Sequence, residues 1–520
     1  MRKIILLLLT ILAGTFLFAQ LNDESKPPVV KTTDGLLQGL QVSGIRVFKG
    51  IPFAQPPVGD LRWREPQPVK PWSGLRKADH FGPRAMQLPL FSDMQFRSDG
   101  MSEDCLYLNV WTPAATGQER LPVLVYFYGG GLVGGDGSEF RYDGEAMARR
   151  GIVALTVNYR LTVFGFLSHP ELTRESPNHA SGNYGFLDQA AALNWVKKNI
   201  AAFGGDPEKI TIAGESAGSF SVSGLMASPL SKNNISGAIG ESGSLLGLQL
   251  PVSLEAAEKK GVAFAENAGA RSLAALRALS AEQVLKATAN KGFERFPVDV
   301  DGYFFPKAPL DIYTSGEQAK VPLLVGWNSG EGSAESLLQK DQPTKENFIR
   351  AVRKKYPDRA GDYLKVYNPA TDADVESAAR DLASDLFIAF GTWRWSDKQA
   401  ETGGNPVYRY YYERPRPAMG VAPYRPESMA ASHSSEIEYA LGNLPTNQRF
   451  DWQADDYLVS AILQSYFIHF IKTGNPNGMG LPVWPAVVAG KPAEVLHVNV
   501  NTRAETEKTR ERYLMLEKMK

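Results

Sequence analysis

Among its 520 residues the chain has a single cysteine, Cys105. No intramolecular disulfide can form in any redox compartment, so the fold must be held by burial. Cys105 stands in the apolar run Cys105-Leu106-Tyr107-Leu108, where a buried, inert thiol is expected. An excess of charge of either sign is also missing, since 56 Lys and Arg face 56 Asp and Glu. Nothing in that balance provides a footprint for nucleic acid or an anionic membrane surface, and small or neutral partners are expected. Histidine is scarce, with six residues, which narrows any search for a base. Repeats and long low-complexity segments are absent.

The one long apolar run is at the N-terminus, where Arg2 and Lys3 precede residues 4–18 and Ala19 precedes a polar stretch. It is shorter than the roughly 20 residues of a membrane span and reads as a signal peptide, residues 1–19. The mature chain, 20–520, is then expected to be secreted or periplasmic and free of the membrane. Removing residues 1–19 takes away two of the 56 basic residues and no acidic one, leaving a net charge of −2.

Apolar residues make up 43% of the chain, enough for a sizeable core. The first hundred residues are rich in Gly and Pro, which suits short strands and turns over a surface. Short apolar runs follow at 106–111, 123–127, 152–157, 210–213, 321–325 and 407–411, each fitting a buried strand. Phe186, Ala190, Leu193, Val196 and Ile200 recur at helical spacing between the third and fourth runs. Strands alternating with helices predict an α/β fold with a large, mostly parallel sheet flanked by helices. Two longer stretches, 251–291 and 333–398, read as helical insertions without an obvious strand, placed where they would roof a cleft. The charged C-terminal segment, 505–520, predicts a solvated helix.

Gly214-Glu215-Ser216-Ala217-Gly218 follows the run 210–213 directly. Small residues around a serine at a strand end permit a strained turn that lifts its hydroxyl into a cleft, and a helix after it turns N–H groups toward that hydroxyl. Gly-x-Ser-x-Gly alone is a weak signal, so the assignment depends on partners. A free alcohol is a poor nucleophile, and in this order of elements the acid and then a histidine follow the serine. Three histidines do. His469 falls in a helical pattern and His497 in an alternating one, both fitting structural rings, whereas His433 stands in the small polar loop Ala431-Ser432-His433-Ser434-Ser435. His433 is the expected base. Glu331, on a loop past the strand at 321–325, is the expected acid, with Asp301 as the alternative, although Asp301-Gly302 is also a common turn.

Strand 123–127 runs into Tyr128-Gly129-Gly130-Gly131-Leu132-Val133-Gly134. Bare glycine backbone can aim N–H groups at an oxyanion, so Gly130 and Gly131 with Ala217 are the expected donors. The same residues match the dinucleotide fingerprint Gly-x-Gly-x-x-Gly, but no helix opens after Gly134 and the next strand ends at Asn158 rather than at an acid for a ribose. No cofactor or metal is expected.

Several further motifs accompany these residues. They include Gly50-Ile51-Pro52-Phe53-Ala54, Leu61-Arg62-Trp63, Ser102-Glu103-Asp104-Cys105-Leu106, Asn158-Tyr159-Arg160, Asn183-Tyr184-Gly185-Phe186-Leu187-Asp188, Phe203-Gly204-Gly205-Asp206-Pro207 and Glu436-Ile437-Glu438. With the serine pentapeptide they make the chain resemble a type-B carboxylesterase, in the cholinesterase-like branch of the α/β-hydrolases, over nearly the whole mature length. The resemblance implies an α/β-hydrolase fold and places Ser216, Glu331 and His433 on the family's nucleophile, acid and base. It also places Gly130, Gly131 and Ala217 on its oxyanion donors, and Glu215 and Ser242 on groups supporting the histidine.

The chain departs from the family in three places. The cysteine that pairs with the one in the Glu-Asp-Cys motif is missing near Phe81-Gly82-Pro83-Arg84-Ala85, Leu132 replaces an aromatic residue, and Thr162 replaces glycine. Residues 81–104 also hold no tryptophan, so the cation–π platform for choline is lacking.

The expected function is a serine hydrolase that cleaves small-molecule carboxylic esters through an acyl-enzyme. The alternatives are a lipase, amidase or polyester hydrolase on the same triad, or a catalytically silent binding module of the same fold.

Overall fold

The computed structural model describes residues 26–420, 426 and 428–519; the expected signal peptide lies outside the described residues. Short strands β1 (Val29–Lys31), β2 (Leu36–Gln38) and β5 (Leu75–Lys77) form a small sheet near the start of the chain. The central sheet has eleven strands among the described residues: β3 (Leu40–Val42), β4 (Ile45–Pro52), β6 (Tyr107–Thr112), β7 (Leu121–Phe127), β8 (Val153–Val157), β9 (Gly205–Glu215), β10 (Gly237–Glu241), β13 (Leu323–Asn328), β14 (Val407–Tyr412), β15 (Glu494–Val498) and β16 (Arg503–Thr506). Their order is β16-β15-β14-β13-β10-β9-β7-β8-β6-β4-β3. From β8 through β7, β9, β10, β13 and β14 to β15 all pairs are parallel, and antiparallel pairs finish both margins. The expected α/β class and mostly parallel sheet are therefore present. Every residue of β8, β10 and β13 is buried, as helices on both faces require.

All six apolar runs became strands. The structure adds β10, whose sequence Gly-Ala-Ile-Gly-Glu does not look like a core strand. Its polarity has a packing reason. The Trp395 ring occupies the space beside Gly240, where a Cβ would lie 2.2 Å from the indole, and the Glu241 carboxylate accepts a hydrogen bond from Tyr126 at 3.0 Å.

Four of the motifs are joined in two pairs by buried or nearly buried ions. Arg160 binds Asp188 through Nε at 2.8 Å and Nη2 at 2.7 Å, and Arg62 binds Glu103 through two bonds of 2.6 Å. Such forked pairs fix orientation as well as distance.

The stretch 251–291 folds mainly as helices Leu254–Asn267, Leu273–Ala278 and Ala281–Ala287. Contrary to expectation it also holds a strand, β11 (Val252–Ser253), which pairs in parallel with β12 (Asp299–Val300). The stretch 333–398 is helical and builds its own apolar cluster of Phe348, Val352, Val375, Leu382, Phe390 and Trp393, joined to the sheet by Trp327 of β13. The C-terminal helix, Arg510–Glu517, is docked rather than solvated. Tyr513 and Leu516 are buried, and Tyr513 stacks on Trp393 with ring centroids 5.2 Å apart. No helix among the described residues is long and apolar enough to cross a membrane.

Cys105 is buried, and burial pushes its thiol well above the ordinary range. Reductant should therefore leave the melting temperature of the mature protein unchanged, and a thiol reagent should label Cys105 only when the chain unfolds. A melting shift with dithiothreitol, or labelling of the folded protein, would contradict this placement.

Candidate active site

Strand β9 ends at Glu215, and the helix Ala217–Ala227 begins two residues later. Ser216 makes the turn between them with φ 55° and ψ −118°, a strained conformation for a residue with a Cβ. The turn is possible because its flanking glycines let backbones meet. A Cβ on Gly218 would lie 2.0 Å from the Phe127 carbonyl oxygen, and one on Gly214 would lie 2.6 Å from the same atom. The Ser216 N–H is held by the Glu241 carbonyl at 2.8 Å.

The loop that leaves β7 at Phe127 passes directly beside this turn. A Cβ on Gly129 would lie 3.3 Å from Ser216 Cβ. Gly130 and Gly131 take φ values of 102° and 63°, which suit glycine. The N–H groups of Gly130, Gly131 and Ala217 donate to no acceptor among the described residues, although Gly130 uses its carbonyl to accept from Val133 and Gly134 at 3.0 Å. Unmatched donors beside a nucleophile are suited to a developing anion.

His433 is brought to the serine by a second pairing of loops. Gly330 and Ser432 form an isolated parallel bridge, the Gly330 N–H donates to Ala431 O at 2.8 Å, and Asn328 Nδ2 donates to Ser432 O at 2.8 Å. His433 Nδ1 consequently sits 2.5 Å from Glu331 Oε2, and Nε2 sits 3.0 Å from Ser216 Oγ. Because the carboxylate accepts, the neutral ring carries its proton on Nδ1 and leaves Nε2 to accept from the serine hydroxyl. Glu331 Oε1 accepts from Ser242 Oγ at 2.5 Å and from the Asn328 N–H at 2.6 Å.

Asp301, the alternative acid, has a different task. Its carboxylate accepts from Asn183 Nδ2 at 3.0 Å and from the N–H groups of Tyr303 and Phe305 at 3.0 and 2.9 Å, closing its own turn. His497 bonds Glu413 at 2.8 Å, and His469 lies in the helix Ala454–Thr473.

Two more buried carboxyls adjoin the histidine. Glu215 Oε1 is 3.2 Å from His433 Nε2. Glu436 Oε1 is 3.3 Å from Ser242 Oγ, and its Oε2 accepts from Asn328 Nδ2 at 2.5 Å. Burial pushes Glu215 up to about 8, opposed by His433 and assisted by Glu436 and Glu331. Burial likewise pushes Glu436 up to about 7, with Glu331 adding to the rise. For His433 burial acts downward, but the charges of Glu215 and Glu331, the hydrogen bond that the ring donates to Glu331 and the charge of Glu436 outweigh it and hold the ring above its ordinary range.

The family resemblance pointed to Glu215 and Ser242 here, whereas Glu436 and Asn328 were missed. The available signal was spacing, because Glu436 follows His433 by three residues and Asn328 precedes Glu331 by three. Phe387 was also missed. It lies in a π-helical turn of the second insertion, Asp385–Ala389, and meets the His433 ring edge to face at 5.2 Å. π-Turns often mark functional positions, and Phe387 is 56% exposed, so it offers the cleft an apolar wall.

The chain is similar over most of its length to known proteins. The sequence model of the carboxylesterase family matches residues 26–515. A fumonisin B1 esterase of Sphingopyxis macrogoltabida is 36% identical, over 90% of this chain and 85% of its own length. A medium-chain fatty acyl-CoA hydrolase precursor of Anas platyrhynchos is 34% identical, over 92% and 90%. Among solved structures, a Geobacillus stearothermophilus carboxylesterase superposes with a TM-score of 0.79 at 32% identity, covering 93% of this chain and 99% of that one.

Two departures from the family pattern touch each other, since the Thr162 N–H donates to Leu132 O at 2.8 Å. Thr162 takes φ 53°, and its buried hydroxyl has no partner among the described residues. A β-branched residue is strained there. Thr162→Gly should therefore gain on the order of 1 kcal/mol in urea unfolding, whereas Gly218→Ala should lose at least about 1–3 kcal/mol from overpacking against Phe127. Destabilisation by Thr162→Gly, or tolerance of Gly218→Ala, would contradict these readings.

Proposed function

The chain belongs to the carboxylesterase family and is a carboxylic ester hydrolase with an α/β-hydrolase fold, and from that premise we propose that it works through a Ser216 acyl-enzyme. Ser216 attacks the ester carbonyl while His433 Nε2 takes its proton. Glu331 holds the ring in the needed tautomer and stabilises the imidazolium. The tetrahedral oxyanion is met by the N–H groups of Gly130, Gly131 and Ala217, each worth about 3 kcal/mol in comparable sites. His433 then passes the proton to the leaving alcohol, and water, activated by the same ring, releases the acid. The observation that carries the proposal is the unbroken run from Ser216 Oγ through His433 to Glu331, at 3.0 and 2.5 Å, beside three uncommitted N–H donors. This reading takes residues 1–19 as a signal peptide and 20–520 as one hydrolase domain working outside the cytoplasm.

In p-nitrophenyl ester hydrolysis, Ser216→Ala should lower kcat by about 10⁶-fold. Glu331→Gln should lower it by about 10⁴-fold with the fold intact. If Asp301→Asn rather than Glu331→Gln gave that loss, the acid would be misassigned.

The pH dependence follows from the carboxyls. His433 is active only when neutral, and its proton affinity is raised. Activity should therefore fall as pH drops through a value above the ordinary 6.5. Whenever Glu215 is ionised its charge favours the imidazolium, and Glu215→Gln removes that ionised state, so the acid limb of kcat/KM should move to lower pH. A rate that stays flat from roughly pH 5 to 8, or a limb that moves upward in Glu215→Gln, would contradict the assignment.

A further inference from the structure

The Gly131 carbonyl, on a residue whose own N–H has no acceptor among the described residues, is covered by a cation. Arg295 Nη1 donates to Gly131 O at 3.0 Å. The guanidinium lies against the glycine itself, since a Cβ on Gly131 would be 2.5 Å from Nη1 and 3.1 Å from Cζ. One residue separates its own N from its own O by less than about 4 Å, so this charge stands within a few ångströms of a proposed oxyanion donor.

Arg62, Arg141, Arg160 and Arg409 each bind a carboxylate, whereas Arg295 is exposed and makes neither an ion pair nor a second hydrogen bond with a described residue. The acid next to it in sequence is engaged elsewhere, because Glu294 accepts from the Gly292 N–H at 2.9 Å and its charge is met by Lys260 and Lys291. Glycine at position 131 makes room for the guanidinium, and apolar side chains flank the same loop. Met94 Cε would lie 3.0 Å from a Cβ on Gly130, and Phe91 would lie 3.3 Å from one on Gly134. An exposed guanidinium with free donors, set beside apolar walls, is well matched to a carboxylate, which it can bind through two parallel hydrogen bonds.

We propose that Arg295 is a specificity residue for esters that carry a carboxylate close to the scissile carbonyl. The proposal rests on the Ser216 esterase reading and adds a substrate class to it. A neutral ester would reach the same nucleophile without using this cation, so the anionic ester gains a contact that the neutral one lacks.

The test compares matched substrates in two arms. One places the charge in the acyl group, with p-nitrophenyl hydrogen glutarate against p-nitrophenyl valerate. The other places it in the leaving group, with 4-acetoxybenzoate against phenyl acetate. The readout is the ratio of kcat/KM for the anionic over the neutral ester, after subtracting spontaneous hydrolysis. Arg295→Gln should lower that ratio by about tenfold or more in at least one arm, Arg295→Lys should keep part of it, and added salt should weaken the wild-type preference. The arm that responds locates the carboxylate on the acyl or alcohol side. A ratio unchanged in both arms, even with both rates lowered, would make Arg295 a brace for the glycine loop and overturn the proposal. Turnover that survives in Ser216→Ala would instead overturn the underlying nucleophile assignment, whatever the ratios are.

Discussion

The close approach of β7 and β9 is the constraint on which the site depends. At their ends the Gly218 backbone presses so near the Phe127 carbonyl that no side chain fits between them. The contact does two things together. It forces Ser216 into a tight turn, and it brings the loop after Phe127 past that turn, so that the candidate nucleophile and candidate oxyanion donors are positioned by the same pair of strands. Parallel neighbours in the middle of a buried sheet are among the most rigid elements a protein has, and a site built there is better defined than one built on loops alone.

The histidine is held by weaker but more numerous means. His433 comes from a loop, and the Gly330–Ser432 bridge and the Asn328 amide fasten that loop to the end of β13. Beneath it, Glu215, Glu331 and Glu436 crowd a volume that cannot hold three bare charges. Burial favours protons on Glu215 and Glu436, while Glu331 is surrounded by donors from His433, Ser242 and Asn328. Different surroundings thus give chemically identical groups different roles. In the proposed mechanism Glu331 is left to orient the ring, and the other two tune how readily His433 gives up its proton.

Much of this could be read from the residues. Buried parallel strands appear as short apolar runs, and so six of them were legible, as was the strand–turn–helix around Ser216. The order of serine, acid and histidine then narrowed the partners, and loop position singled out Glu331 and His433 as the candidates. Strand β10 was hidden because its packing demands glycine beside Trp395 and a glutamate beside Tyr126, so tertiary contact overrode the apolar pattern. The docked C-terminal helix was hidden for a related reason, since its charged composition hides Tyr513 and Leu516, which face Trp393 and the second apolar cluster. Glu436, Asn328, Phe387 and Arg295 needed coordinates. Phe387 and Arg295 reach the site from elements distant in sequence, and although Glu436 and Asn328 lie three residues from His433 and Glu331, no local pattern records which loops will meet.

The central claim is that Ser216 is the covalent nucleophile. It is tested most directly by intact-mass and peptide mass spectrometry of the mature protein after reaction with a fluorophosphonate, an analogue of the tetrahedral intermediate. One adduct per chain is expected, on the peptide containing Ser216, formed in step with loss of esterase activity and absent when His433 is replaced by alanine. Loss of activity with the adduct on another residue, or full activity in a chain modified at Ser216, would contradict it.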